Sequence, residues 1–170
     1  AGIVAQGAVA MAADLTSTRF RAPTAERVWD NLGMSKQGLR ELVTDTLIEE
    51  YSRDGVVCLR GAVDAEWIAE LRDGVDRNIV DPGERGRVWS KDDSGGVMTY
   101  DSQSWQWVPE YRRFIEDSPM AEIAGRVMGS SSATFFFDAV FFRTFGNQFR
   151  TPFHQDEPYW SVDGFDTVSA

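Results

Sequence analysis

A single histidine, His154, stands two residues before Asp156 in the segment Pro152-Phe153-His154-Gln155-Asp156-Glu157-Pro158-Tyr159-Trp160, and this pairing is where the chain is best equipped for chemistry. In extended backbone, residues i and i+2 project to the same side, so the imidazole and the carboxylate can address one metal ion together. Two histidines and one carboxylate with open coordination positions favour ferrous iron and oxygen chemistry. His154 and Asp156 supply two of those donors, and these 170 residues contain no second imidazole. A histidine bonded to a nearby carboxylate is also a common structural pair, so the spacing alone leaves both readings open. Glu157 alternates away from the side of Asp156, which argues against an acid–base carboxylate pair and hence against a glycosidase.

The elements that must carry this segment can be read upstream of it. The run from Thr134 to Arg143, TFFFDAVFFR, has the aromatic and β-branched bias of a strand covered on both faces, and Gly146-Asn147 supplies a turn after it. On such a strand Asp138, Val140 and Phe142 share one face, while Ala139, Phe141 and Arg143 share the other. Arg143 is then expected at the solvent edge, and Asp138 and Phe142 are candidates to line a pocket. Tyr159 and Trp160 suit either a pocket wall or a core.

Earlier in the chain, Leu47, Ile48 and Tyr51 recur at helical spacing between Thr44 and Arg53, and Asp54-Gly55 stops the pattern before an apolar run, Val56-Val57-Cys58-Leu59, expected to form a short buried strand. Asp64 is placed to cap a second helix whose face is Trp67, Ile68, Leu71, Val75 and Ile79, ending at Asp81-Pro82-Gly83. Between Asp81 and Gln106 periodicity fades and aromatics alternate with charges and glycines, the pattern of a long irregular segment that serves either as a binding loop or as plain surface covering. Pro109 and Pro119 each start a helix, and Gly129 closes the second. Thr167-Val168-Ser169-Ala170 looks like the opening of another strand. Helices first and strands later predict an α+β arrangement with helices supporting a sheet sandwich. The late strands need partners, which leads us to expect the natural protein to continue beyond Ala170.

Composition narrows the partners. With 42% hydrophobic residues in 170, the chain can bury one sizeable core but not two. A net charge of −10 argues against nucleic acid, whose binding needs a cationic face, and points to small molecules. No apolar run is long enough to span a bilayer, and a lone Cys58, read as a small core residue, fits a cytoplasmic enzyme that is not bound to membranes. Residues 1–13 are set apart as a leader or disordered extension.

Phe137-Asp138-Ala139-Val140-Phe141-Phe142-Arg143, then Gly146, then Thr151 to Trp160, resembles the phytanoyl-CoA dioxygenase (PhyH) family. Tyr51 to Gly61 is similar to that family's opening helix-to-strand junction, and Ser118 to Ala124 to its mid-chain helix. The resemblance runs from near Thr44 to Ala170 and is weakest between Asp81 and Gln106. It implies a double-stranded β-helix, or jelly roll, with supporting helices, C-terminally incomplete here, so that 14–170 is the N-terminal part of a single oxygenase domain. It also implies an oxidoreductase that uses Fe(II), 2-oxoglutarate and O2 to hydroxylate a small organic molecule. In that scheme His154 and Asp156 match the first two iron ligands, and Asp138, Phe142 and Trp160 are expected along the cofactor pocket. The second ligand histidine and the Arg that pairs with 2-oxoglutarate lie later in the family's chain, so these residues alone are expected to be inactive. Related halogenases replace the carboxylate with a small residue, and the intact Asp156 therefore favours hydroxylation. The alternatives are a non-catalytic jelly-roll domain that binds a metal or ligand without the second imidazole, and an interaction domain that uses the aromatic loop.

Overall fold

Capping chemistry sets the helices where the apolar spacing places them. The computed structural model describes residues 3–12, 36–91, 93, 95–130, 133–159 and 167–170. Helix α1 spans Lys36–Leu42 and α2 spans Asp45–Asp54, where Thr44 Oγ1 accepts from the Leu47 amide at 3.3 Å. In α3, Ala65–Val80, Asp64 Oδ1 accepts from the Trp67 amide at 2.9 Å. Helix α4, Pro109–Asp117, starts on its proline, and α5, Met120–Val127, follows Pro119. Arg126 of α5 clasps the first two helices, donating from Nε to the Val43 carbonyl at 2.5 Å and from Nη2 to Asp45 at 3.0 Å. Leu39, Val43, Phe114, Met120 and Ile123 form the buried centre of this helical layer. Among the described residues, no helix is long and apolar enough to cross a membrane.

Among the described residues, five strands form one antiparallel sheet in the order β2-β3-β4-β1-β5, which with the helices makes an α+β fold. The strands are β1 (Ile3–Ala12), β2 (Arg87–Lys91), β3 (Val97–Ser102), β4 (Thr134–Thr144) and β5 (Thr167–Ser169). The central strand, β4, is the aromatic run that leads to His154. Opposite β1 its register slips by one, Ala10 facing Phe137 and Met11 facing Phe135, so Phe136 is an inserted bulge residue. One face of the sheet packs on α3 and α4, through a second core of Val108, Tyr111, Val140 and Phe142. The other carries a ladder of rings: Trp89 lies 5.6 Å from Tyr100, Tyr100 5.0 Å from Phe141, and the Arg87 guanidinium sits 5.1 Å over Tyr100.

Helices and sheet are joined by a buried carboxylate. Asp101 of β3 accepts from Asn78 Nδ2 of α3 at 2.8 Å, from the Gly83 amide at 2.9 Å and from the Ser102 amide at 2.9 Å. Asp101 and Asn78 are both essentially inaccessible to solvent. Gly83 also lies against the Trp107 indole so closely that a Cβ there would stand 1.8 Å from Trp107 Cζ2.

Several expectations are corrected here. Val56 to Leu59 is not a buried strand: it has no strand partner among the described residues, and only Val57 and Leu59 turn inward, so Val56 and Cys58 are exposed. The stretch from Asp81 to Gln106 is mostly an antiparallel hairpin, β2 and β3, followed by a 3-10 turn at Ser104–Gln106. Its alternation is masked in sequence by a register slip at Trp89 and by the inward polar Asp101. Ile68 and Ile79 of α3 are exposed, because the buried line of that helix runs through Gly74 and Asn78 instead. Arg143 is half-buried, with Nη2 3.4 Å from Met98 Sδ, and not at a solvent edge. Ile3–Ala12 forms β1, which pairs with β4 and β5.

Removing a donor from a buried carboxylate leaves charge uncompensated, and a clash with a packed indole displaces it. We therefore expect Asn78→Ala to lower the unfolding free energy by about 2 kcal/mol and Gly83→Ala by about 1–3 kcal/mol, measured by urea denaturation with tryptophan fluorescence. Values within about 0.5 kcal/mol of wild type would refute the anchoring role.

Candidate functional site

The end of β4 is fastened before the chain turns towards His154. Thr144 Oγ1 accepts from the Val97 amide at 2.8 Å, and Asn147 Nδ2 donates to the Gly96 carbonyl at 3.1 Å, so the tip of the β2–β3 hairpin holds the start of the segment. Gly146, at φ 92, makes the turn in backbone that a side chain would strain. Asn147 Oδ1 then accepts from the Phe149 amide at 3.2 Å, the short loop by which asparagine replaces a backbone turn.

From Asn147 to Gln155 the chain is irregular, not the extended strand that the sequence suggests, and it enters a 3-10 turn at Glu157–Tyr159, where the Tyr159 amide donates to the Asp156 carbonyl at 2.9 Å. Proline at 152 and 158 removes amide donors that a strand ladder would use. The two side chains nevertheless meet: His154 Nε2 is 3.1 Å from Asp156 Oδ1. His154 Nδ1 is 2.8 Å from the Pro152 carbonyl, so each ring nitrogen faces an oxygen that only accepts. The protonated ring donates to both and forms an ion pair with the carboxylate; a neutral ring donates to one and turns a lone pair to the other, and with its proton on Nδ1 the Nε2 lone pair and the carboxylate are together open to a cation. Half-exposed as both side chains are, at 48% and 58%, an ion pair between them adds little to stability. Among the described residues no third His, Cys, Asp or Glu joins them in a metal-binding cluster. Their donor types thus fit two positions of an iron site and leave its third donor to other residues.

Of the other expected pocket residues, Asp138 and Phe142 lie on β4. Phe142 is buried in the core beside Val108 and Tyr111. Asp138 lies under α3 and α4, its Oδ2 accepting from the Trp105 amide at 3.2 Å. No hydrogen bond or ring contact among the described residues joins either one to the His154–Asp156 pair. Trp160 lies outside the described residues. Burial pushes the Asp138 carboxyl up to about 6, against the pull of the Trp105, Asp138 and Ser104 amides and with a push from Asp101. The Tyr111 phenol is raised too, by burial and by Asp138, Asp101 and Glu110. Sequence reasoning misses Tyr111 as a polar group, because only folding brings its hydroxyl into the neighbourhood of these carboxylates.

A carboxyl whose folded value exceeds its unfolded one holds its proton more tightly when folded, so stability rises as pH falls from about 6 to about 4 and is level above. We expect Asp138→Asn to abolish that slope and to be more stable than wild type above about pH 6, on the order of 1–3 kcal/mol, in urea denaturation across this range. A slope unchanged in the variant would refute the assignment.

Comparison with known proteins brings one positive result. Neither curated proteins nor solved structures gave a match. The profile of the phytanoyl-CoA dioxygenase (PhyH) family matches residues 51–170, which takes in the hairpin, the helices α3 to α5, β4, the His154–Asp156 pair and β5. That match covers well over half of the chain, and members of this family are dioxygenases: the chain belongs to the phytanoyl-CoA dioxygenase family.

Proposed function

We propose that the protein acts as an Fe(II)- and 2-oxoglutarate-dependent hydroxylase of a small organic molecule, on a jelly-roll scaffold to which the described sheet contributes, with His154 and Asp156 as two of the iron ligands. The observation that carries this reading is the 3.1 Å approach of His154 Nε2 to Asp156 Oδ1, with the ring's orientation supported by the 2.8 Å contact of Nδ1 with the Pro152 carbonyl. Iron and 2-oxoglutarate bound there supply O2 activation coupled to oxidation of the keto acid. His154 contributes a neutral nitrogen and Asp156 an anionic oxygen, the donor types ferrous iron takes from protein. The intact carboxylate at 156 favours hydroxylation over halogenation. Exposed Phe153 and Tyr159 flank the pair and offer apolar surface to an organic substrate, with Trp160 next in the chain as a further candidate wall. The second imidazole and the cation for the far carboxylate of 2-oxoglutarate are assigned to residues outside these 170, which hold a single histidine. The acidic balance of the chain fits a small-molecule substrate, and the exposed free thiol of Cys58 fits a reducing, cytoplasmic compartment.

The absence of a third donor near the pair among the described residues gives weight to one other reading, a non-catalytic metal- or ligand-binding domain. Anaerobic Fe(II) titration of the full-length gene product, followed by 2-oxoglutarate turnover to succinate in air, separates the two. We expect turnover, and a loss of about 100-fold or more in both iron affinity and turnover in His154→Ala and Asp156→Ala. Iron binding without turnover would favour the non-catalytic domain. Turnover unchanged in His154→Ala would remove the iron assignment.

A further inference from the structure

On the face of the sheet turned away from α3 and α4, charges and rings are sorted. The strands β2, β3 and β4 carry two carboxylates, Asp101 and Asp138, and both turn to the helix side, where Asn78 and the Trp105 amide hold them. Arg87 and Arg143 stand on the opposite face, in register with Tyr100 and Met98 of β3. No carboxylate among the described residues forms an ion pair with either guanidinium. In a chain of net charge −10, this leaves a locally cationic face free of acids.

Packing decides what each guanidinium can still do. Arg87 sits 5.3 Å over the Trp89 ring and 5.1 Å over that of Tyr100. Ring faces attract the charge but use none of the five N–H donors, so this fork is positioned and unspent. Arg143 Nη2 donates to Met98 Sδ at 3.4 Å, a weak acceptor for a charged donor. Between the two lie Tyr100 and Phe141, half-buried, with ring centroids 5.0 Å apart. One strand across and two residues along, the arginine backbones are about 12 Å apart, room for a body of about two fused rings. A planar fork over an aromatic floor matches a carboxylate on a flat apolar molecule. We propose that this face binds the organic substrate, and that the substrate is a flat carboxylate, its anion on Arg87 and its rings over Tyr100 and Phe141 towards Arg143. Its role as substrate rests on the hydroxylase reading, in which the face without helices is the one that meets the second sheet of the roll. Arg143 also stands one residue before Thr144, the first clamp of the segment that leads to His154. Binding itself needs no iron.

Titration calorimetry of the full-length gene product without iron, using 2-naphthoate, 2-naphthalenemethanol and acetate, tests it. Naphthoate should bind at least about tenfold more tightly than the alcohol, and acetate should give no heat. Arg87→Gln should bring naphthoate down to the level of the alcohol, while Arg87→Lys, which keeps the charge without the fork, should restore only part of the difference. Arg143→Gln should weaken naphthoate severalfold. Arg87 is exposed, so both of its variants should unfold at the wild-type temperature. Saturating 2-oxoglutarate should leave naphthoate binding unchanged. Equal affinity for naphthoate and the alcohol, naphthoate binding that survives Arg87→Gln, displacement by 2-oxoglutarate or no binding of naphthoate would overturn the proposal. Each of these leaves the iron assignment standing, because that is read separately from turnover in His154→Ala.

Discussion

The buried carboxylate of Asp101 couples the two layers of this fold. It collects a side-chain donor from α3, an amide from the turn after that helix and an amide from its own strand. Charge buried this way tolerates little displacement, since a shift of the helix along the sheet would strand it without partners. Much else follows from that fixed distance. With α3 held against β3, the neighbouring strand β4 lies under α3 and α4, and the segment leaving β4 starts at one defined place against the hairpin tip. The His154–Asp156 pair depends on this indirectly, through Thr144 and Asn147.

What could be read in the sequence was whatever is decided locally. Thr44 and Asp64 are capping residues wherever a helix begins, and Pro109, Pro119 and Gly129 mark helix ends for reasons contained in their own backbones. The aromatic run of β4 and the meeting of His154 with Asp156 are likewise matters of near neighbours. The errors lie where distant segments decide. Nothing within Val56 to Leu59 tells whether one face or two will be covered. The hairpin of β2 and β3 hides its alternation because Asp101 points inward, and an inward acid makes sense only once Asn78 and Gly83 are beside it. The rotation of α3, which turns Ile68 and Ile79 outward and Asn78 inward, has the same origin.

Two pairs of polar groups along this part of the chain differ in their physical state. His154 and Asp156 are half-exposed, held by a backbone carbonyl and a short turn, and accessible from solvent. Asp138 and Tyr111 are buried under the helices, each with an oxygen that has no hydrogen-bond partner among the described residues. The first arrangement suits exchange of small ligands at a metal, and the second raises both groups' hold on their protons.

The inserted residue at Phe136 gives the three adjoining phenylalanines separate duties. Phe135 reaches the Trp105 ring at 5.7 Å, and Phe136 and Phe137 contact each other edge to face at 5.3 Å. An ordinary alternating strand would send Phe135 and Asp138 to opposite sides, whereas here the extra residue turns Phe135 back towards the side on which Trp105 and Asp138 meet. A deletion of one phenylalanine would remove the bulge, and because the pairs on either side of it already run in step with β1, it would leave both the N-terminal end of β4 and the stretch from Asp138 to Arg143 facing as they do. The triplet carries one residue more than the ladder with β1 uses.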